Sequence, residues 1–123
     1  MTVLDDLIKL GFQPVTEWVM KGDRIGLASF GWQDHGGWLY AFVVEGKVSY
    51  IGFTDRVLRS RMSDYAHINN SQTTRIRQLI TAELKAGRSV QVYGWKEGNK
   101  DVLIAEETKL RARYRLFLPW NRD

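Results

Sequence analysis

The stretch Trp38-Leu39-Tyr40-Ala41-Phe42-Val43-Val44-Glu45-Gly46-Lys47-Val48-Ser49-Tyr50-Ile51-Gly52 decides how this chain folds. Two runs rich in β-branched and aromatic residues flank Glu45-Gly46, the pattern of antiparallel strands joined by a tight turn. Two registers compete. A two-residue loop at Glu45-Gly46 pairs Ala41 with Tyr50 and turns Tyr40 and Tyr50 to opposite faces. A three-residue loop, Val44-Glu45-Gly46 with Gly46 left-handed, pairs Tyr40 with Tyr50 and Phe42 with Val48. The second is the expectation: Glu-Gly is a weaker two-residue turn than Asn-Gly, and this register gathers Trp38, Tyr40, Phe42, Val48 and Tyr50 on one surface.

Towards the N-terminus, Gly31 to Gly37 reads as a loop, and Thr16 to Ser29 as a hairpin turning at Gly22-Asp23. Val3, Leu4, Leu7, Ile8 and Leu10 recur at helical spacing before Gly11, a natural stop. Towards the C-terminus, Thr54 or Asp55 can cap a helix carrying Val57, Leu58 and Met62 and ending near Tyr65. A longer helix runs from about Gln72 to Ala86, capped by Ser71 or Thr73 and closed by Gly87, with Ile76, Leu79, Ile80 and Leu84 as its buried stripe. Ser89 to Trp95 alternates as a strand, with Val90 and Val92 on one face. Asp101 to Leu116 is helical again and stops before Pro119. The fold expected is α/β in the α+β sense, a small, mainly antiparallel sheet flanked by helices. One domain spans residues 1–123, with 1–36 as a helix-and-hairpin extension of a core at 37–121.

Length agrees: 123 residues make one compact domain, and 44% hydrophobic residues can fill its core. With no cysteine the chain has no disulfides, thiolate zinc sites or thiol nucleophiles, which fits a reducing, cytoplasmic setting. Met1 to Leu10 lacks the layout of a secretory signal, and no run reaches membrane-spanning length. The net charge is +4. From Arg56 to Arg77 there are five arginines, no lysine and a single acid, Asp64. Such a run is either a solvated helical face or a phosphate-binding surface, for which arginine's planar fork is suited.

One carboxylate is out of place. Leu103, Glu107, Leu110, Tyr114 and Phe117 fall on one stripe of the last helix. On periodicity alone Glu107 sits at the stripe edge and reaches water. Held against a core, it would need an arginine, a backbone amide or a metal. Glu106 points more outward.

Trp38-Leu39-Tyr40, then Tyr50-Ile51-Gly52, then Thr54, Leu58, Arg61 and Tyr65, then a late glutamate and Pro119-Trp120-Asn121, together resemble the GIY-YIG nucleases. Small phage-encoded endonucleases and some restriction enzymes of that family show the most similar pattern. The resemblance covers about Gly37 to Asn121. It implies that Tyr40 and Tyr50 are the motif tyrosines and that Gly52 stands where a side chain would crowd the site. It implies further that Arg61 is the family's arginine, that Tyr65 takes its histidine-or-tyrosine position, that Glu107 is its metal ligand and Asn121 its closing asparagine. The first motif departs from the family pattern in being Trp-Leu-Tyr. The spacing from the glutamate to Asn121 is also slightly off, which keeps Glu106 as an alternative ligand. Some relatives carry a lysine in the first turn of the long helix, a role open here to Arg75 or Arg77.

The chemistry implied is metal-dependent hydrolysis of DNA phosphodiester bonds. One Mg²⁺ or Mn²⁺ on Glu107 acts as Lewis acid, and Arg61 stabilises the charged transition state. Tyr40, Tyr50 or Tyr65 orients or deprotonates the water, helped by a pKa that Arg61 and the metal would lower. Arg56, Arg59, Arg75 and Arg77 are candidate DNA-backbone contacts. His35 and His67 are given no catalytic role. Cutting both strands takes two active sites or two visits, which makes a homo-oligomer a natural arrangement. Two other functions compete: a nucleic-acid-binding module without activity, and a protein-interaction domain.

Overall fold

The computed structural model describes residues 2–29 and 36–121. In chain order it has helix α1 (Val3–Leu10), strands β1 (Gln13–Lys21), β2 (Arg24–Leu27), β3 (Trp38–Val44) and β4 (Lys47–Thr54), and helices α2 (Leu58–His67) and α3 (Ser71–Lys85). Strand β5 (Val90–Lys96), helix α4 (Lys100–Arg113) and a 3₁₀ turn (Arg115–Phe117) complete it. The strands form one sheet in the order β2-β1-β5-β3-β4, and every neighbouring pair is antiparallel. The last strand in sequence thus lies between two hairpins. It joins the N-terminal hairpin to the rest, so the segment read as an extension supplies two strands of the common sheet.

Strand β3 is buried on both sides, which explains its unbroken apolar run. On one face, Trp38, Tyr40, Phe42 and Tyr50 pack with Leu58, Met62 and Tyr65 of α2 and Ile76 and Ile80 of α3. On the other, Leu39, Ala41, Val43 and Ile51 pack with Leu7 of α1 and Leu103 and Leu110 of α4.

The register of the central hairpin differs from the one expected. Val44 pairs with Lys47, so the loop is the two-residue Glu45-Gly46, with φ of 46° and 81° as a type I′ turn demands. The register then shifts between Phe42 and Val43. Phe42 pairs with Tyr50 and Tyr40 with Gly52, leaving Ser49 as a bulge. The bulge keeps Tyr40 and Tyr50 on one face while sending Val48 to the other, with Leu39 and Ala41. Two distant segments stabilise this arrangement. Glu45, a non-glycine in the left-handed region, accepts at its carboxylate from the Ser89 hydroxyl at 2.6 Å and its own N–H donates to the Ser89 carbonyl. The bulged Ser49 carbonyl accepts from Trp120 N–H at 2.9 Å.

Helix starts also differ. Helix α2 begins at Leu58, with Val57 as an N-cap that makes no side-chain bond, and Thr54 Oγ1 instead accepts from Arg56 N–H within the preceding turn. It runs on to His67 rather than ending at Tyr65. Asn70, not Ser71 or Thr73, caps α3, and Thr73 completes the capping box. Helix α4 ends at Arg113, and the 3₁₀ turn after it leaves Phe117 65% exposed, outside the stripe assigned to it. His35 and most of the Gly31 to Gly37 loop lie outside the described residues.

Candidate active site

Period-two alternation along β3 and β4, with the Ser49 bulge, turns the rings of Tyr40 and Tyr50 to the face covered by α2 and α3. Tyr65 reaches them from the third turn of α2. All three are buried, Tyr40 at 1% and Tyr65 at 0% exposure. Their hydroxyls meet: Tyr40 and Tyr65 are 2.6 Å apart, and Tyr65 donates to Tyr50 at 3.2 Å. Arg61, one turn before Tyr65, donates through Nε to Tyr40 and through Nη2 to Tyr65, each at 3.1 Å. Gln72, in the first turn of α3, donates through Nε2 to Tyr50 at 2.9 Å.

These bonds fix the proton order. Tyr65 gives its single hydroxyl proton to Tyr50, so Tyr40 must be the donor to Tyr65. The chain therefore runs from Arg61 through Tyr40 and Tyr65 to Tyr50. Tyr50 accepts twice and keeps its own proton for a group outside the cluster.

Burial pushes the Tyr40 hydroxyl far above the ordinary phenol value, with Tyr50 adding to the effect and Arg61 only partly offsetting it. Burial likewise raises Tyr65, and Tyr40 and Tyr50 reinforce it. Arg61 by itself therefore does not lower these two phenols: desolvation outweighs one partly buried cation. Burial acts against the charge of Arg61, but the surrounding phenol oxygens more than compensate, and it remains a guanidinium. Asp64 anchors it at 3.5 Å and also holds Arg56 at 2.9 Å.

Gly52 is the floor under Tyr40. A Cβ there would lie 2.7 Å from both the ring carbon Cζ and the hydroxyl of Tyr40. One peptide bond further along β4, the Phe53 backbone faces Glu107 closely enough to favour its carboxylate. Glu107 is thus turned inward to the strand that carries Tyr50 and Gly52, its side chain 14% exposed. Burial raises its pKa, while Arg111, 3.9 Å away, and the Phe53 backbone pull the other way. Glu106 is the half-buried neighbour on the helix. Arg111 also lines a cavity of about 330 Å³ with Tyr50, Ser71, Gln72 and Arg75. The surroundings of Glu107 and of Tyr50 therefore meet at one guanidinium.

Asn121 binds Ile51 twice, its Oδ1 accepting from Ile51 N–H at 2.9 Å and its Nδ2 donating to Ile51 O at 2.8 Å. With Trp120 N–H on Ser49, it covers the exposed edge of β4 as an added strand would. Arg75 holds this tail through the Trp120 carbonyl at 2.8 Å. Arg77 is committed to the α2–α3 turn, bonding the carbonyls of Tyr65 and Ile68 and the Asn69 side chain. In the same first turns of α3, Gln72 is the residue that donates to Tyr50. Sequence reading missed Gln72, Asp64 and Arg111. Two of them left a signal, Arg111 as an i,i+4 partner of Glu107 and Asp64 as an i,i+3 partner of Arg61.

Among the described residues no group of three or more His, Asp or Glu side chains gathers as a metal cage. Likewise, no described helix is long and apolar enough to cross a membrane.

No family model matches the chain, and no curated protein does. Solved structures do. A mutant of bacteriophage T4 EndoII, a GIY-YIG nuclease in which a glutamate is replaced by alanine, is 20% identical and superposes with a TM-score of 0.76 over 99% of each chain. The restriction endonuclease HPY188I in complex with product DNA is 18% identical, with a TM-score of 0.55 over 94% of this chain and 81% of that one. The chain is built on the fold of the GIY-YIG nucleases.

Proposed function

We propose that the chain is a metal-dependent DNA endonuclease that hydrolyses phosphodiester bonds. The observation that carries this reading is the buried cluster of three phenols on one guanidinium. A packed core gains little from such a group, because apolar residues of the same volume would fill the space without its desolvation cost. The likeness of fold to a phage endonuclease and to a DNA-bound restriction enzyme supports the same reading.

In this reading Tyr50 is the phenol that acts on the attacking water. Its proton is the one the cluster does not use, and Gln72 and Tyr65 hold its oxygen in place by donating to it. Tyr40 and Tyr65, held protonated by burial, relay the field of Arg61. The Arg61 guanidinium itself stabilises charge on the phosphoryl oxygens. Glu107 fits a single hard dication: it offers two carboxylate oxygens, is partly desolvated, and has Arg111 only at the outer limit of an ion pair. Mg²⁺ commonly binds through one carboxylate, waters and substrate phosphate. Such an ion, Mg²⁺ or Mn²⁺, supplies Lewis-acid stabilisation of the phosphoryl and leaving oxygens. Arg59 and Arg75 remain candidate backbone contacts, and Arg56 joins them through its exposed side chain.

The test is nicking of supercoiled plasmid with Mg²⁺. EDTA, Arg61→Ala and Glu107→Ala should each abolish it, Arg61→Ala by about 10²- to 10³-fold, the usual cost of one oxyanion donor. Variants that cut like the parent sink the proposal. Salt-sensitive DNA binding without cutting would instead favour a binding module.

A further inference from the structure

Helix α2 has a second working side. Arg61 and Tyr65 turn to the phenols, whereas Arg59, Ser63, Ala66 and His67 line a groove of about 500 Å³ between α2 and the β1–β2 hairpin. Its floor is apolar, made by Trp18, Ile25 and Met62, and its cations come from both walls: Lys21 and Arg24 from the hairpin, Arg59 from the helix. A smaller hollow continues it past Arg24 and His67 to Asn69 and Arg77, where Asp23 is the one acid among the lining residues. The hairpin is shaped for this. The Lys21 stem lies across Gly26, where a Cβ would come within 2.7 Å of Lys21 Cδ. The glycine thus lets a lysine from one strand cross its neighbour and reach the groove.

We propose that this groove is a second DNA-backbone site, holding phosphates of the substrate duplex on the side of α2 opposite the phenols, with Lys21 and Arg24 as its principal contacts. An α-helix with its side chains is about 10–12 Å across. Duplex DNA carries one charge per ~1.7 Å of its axis, so a duplex lying over α2 presents phosphates to both sides at once. The hairpin then has a job in binding: it extends the electropositive surface beyond the reacting bond. This inference rests on the nuclease reading for the identity of the polyanion.

The experiment is fluorescence anisotropy of a labelled DNA duplex, in EDTA so that nothing is cut, over a range of salt. The double variant Lys21→Gln/Arg24→Gln is compared with Lys9→Gln/Lys47→Gln, which loses the same charge from α1 and the β3–β4 turn. The groove variant should bind at least tenfold more weakly at moderate salt, and its slope of log K on log salt should fall by about 0.9 per lost phosphate contact. The second pair should leave the slope unchanged. Equal slopes for parent and groove variant, or equal losses in both pairs, overturn the proposal. Plasmid nicking by the parent, run alongside, separates the two readings. If the parent cuts and the slope does not move, the groove proposal alone fails. If the slope falls and the parent never cuts, the nuclease reading alone fails.

Discussion

The sheet face under α2 and α3 buries three phenol hydroxyls against a guanidinium, while the face under α1 and α4 is filled by Leu7, Leu39, Ala41, Val43, Ile51 and Leu103. Both faces are drawn from the same strands, residue by alternate residue. The apolar side gains free energy mainly by excluding water, with the Tyr114 hydroxyl at its margin donating to Asp6 at 2.6 Å. The other must satisfy each hydroxyl in a fixed order, and the ring of bonds from Arg61 to Gln72 does so. What differs is therefore where the chain accepts a cost, and it accepts it beside the groups suited to phosphoryl transfer.

Substitutions can break that contrast. On the apolar face, Leu7→Ala should lower unfolding free energy by about 2–5 kcal/mol in urea titrations, the cost of a large-to-small change in a tight core. Nicking per folded molecule should stay near the parent's. A selective loss of activity would mean the faces are not independent. On the polar face, Gly52→Ala should cost about 1–3 kcal/mol, because the new methyl meets a Tyr40 ring with nowhere to move. Here nicking should collapse well below the melting temperature. Retained activity would show that Tyr40 need not lie where it does.

The smallest effect sharpens the contrast at the strand edge. Burial raises the Glu107 pKa, so the folded chain holds that proton more tightly than the unfolded chain. Ionising Glu107 then costs stability, a cost absent below the ordinary carboxylate range and complete once pH exceeds the folded pKa. In divalent-free buffer Glu107→Gln should raise the melting temperature by a few degrees near neutral pH, with the gain vanishing on acidification. A lower melting temperature at neutral pH would make Glu107 a structural ion-pair partner of Arg111.

Much of this was legible along the chain. Gly11, Gly22-Asp23 and Gly87 marked real ends and turns because each supplies a backbone shape that few residues share. The tyrosines and Arg61 do meet in one cluster, because short-range spacing puts Arg61 and Tyr65 one helix turn apart and the hairpin puts Tyr40 and Tyr50 on one sheet face. The reading of Val48 failed where a bulge intervened, and bulges leave no mark in an apolar run. The cap of α3 was misplaced by one or three residues because Asn70, Ser71 and Thr73 are all competent.

The sequence by itself determined the order of the elements and which residue types could do chemistry, since these follow from periodicity and side-chain identity. Only the tertiary structure decided the hairpin register, the direction of the hydroxyl chain, the bond of Gln72 to Tyr50, and the inward turn of Glu107. Each depends on a contact between distant segments: Ser89 on Glu45, Trp120 on Ser49, α3 on β4, and Phe53 on Glu107. No local preference encodes such contacts, because their energy exists only once both partners have been brought together.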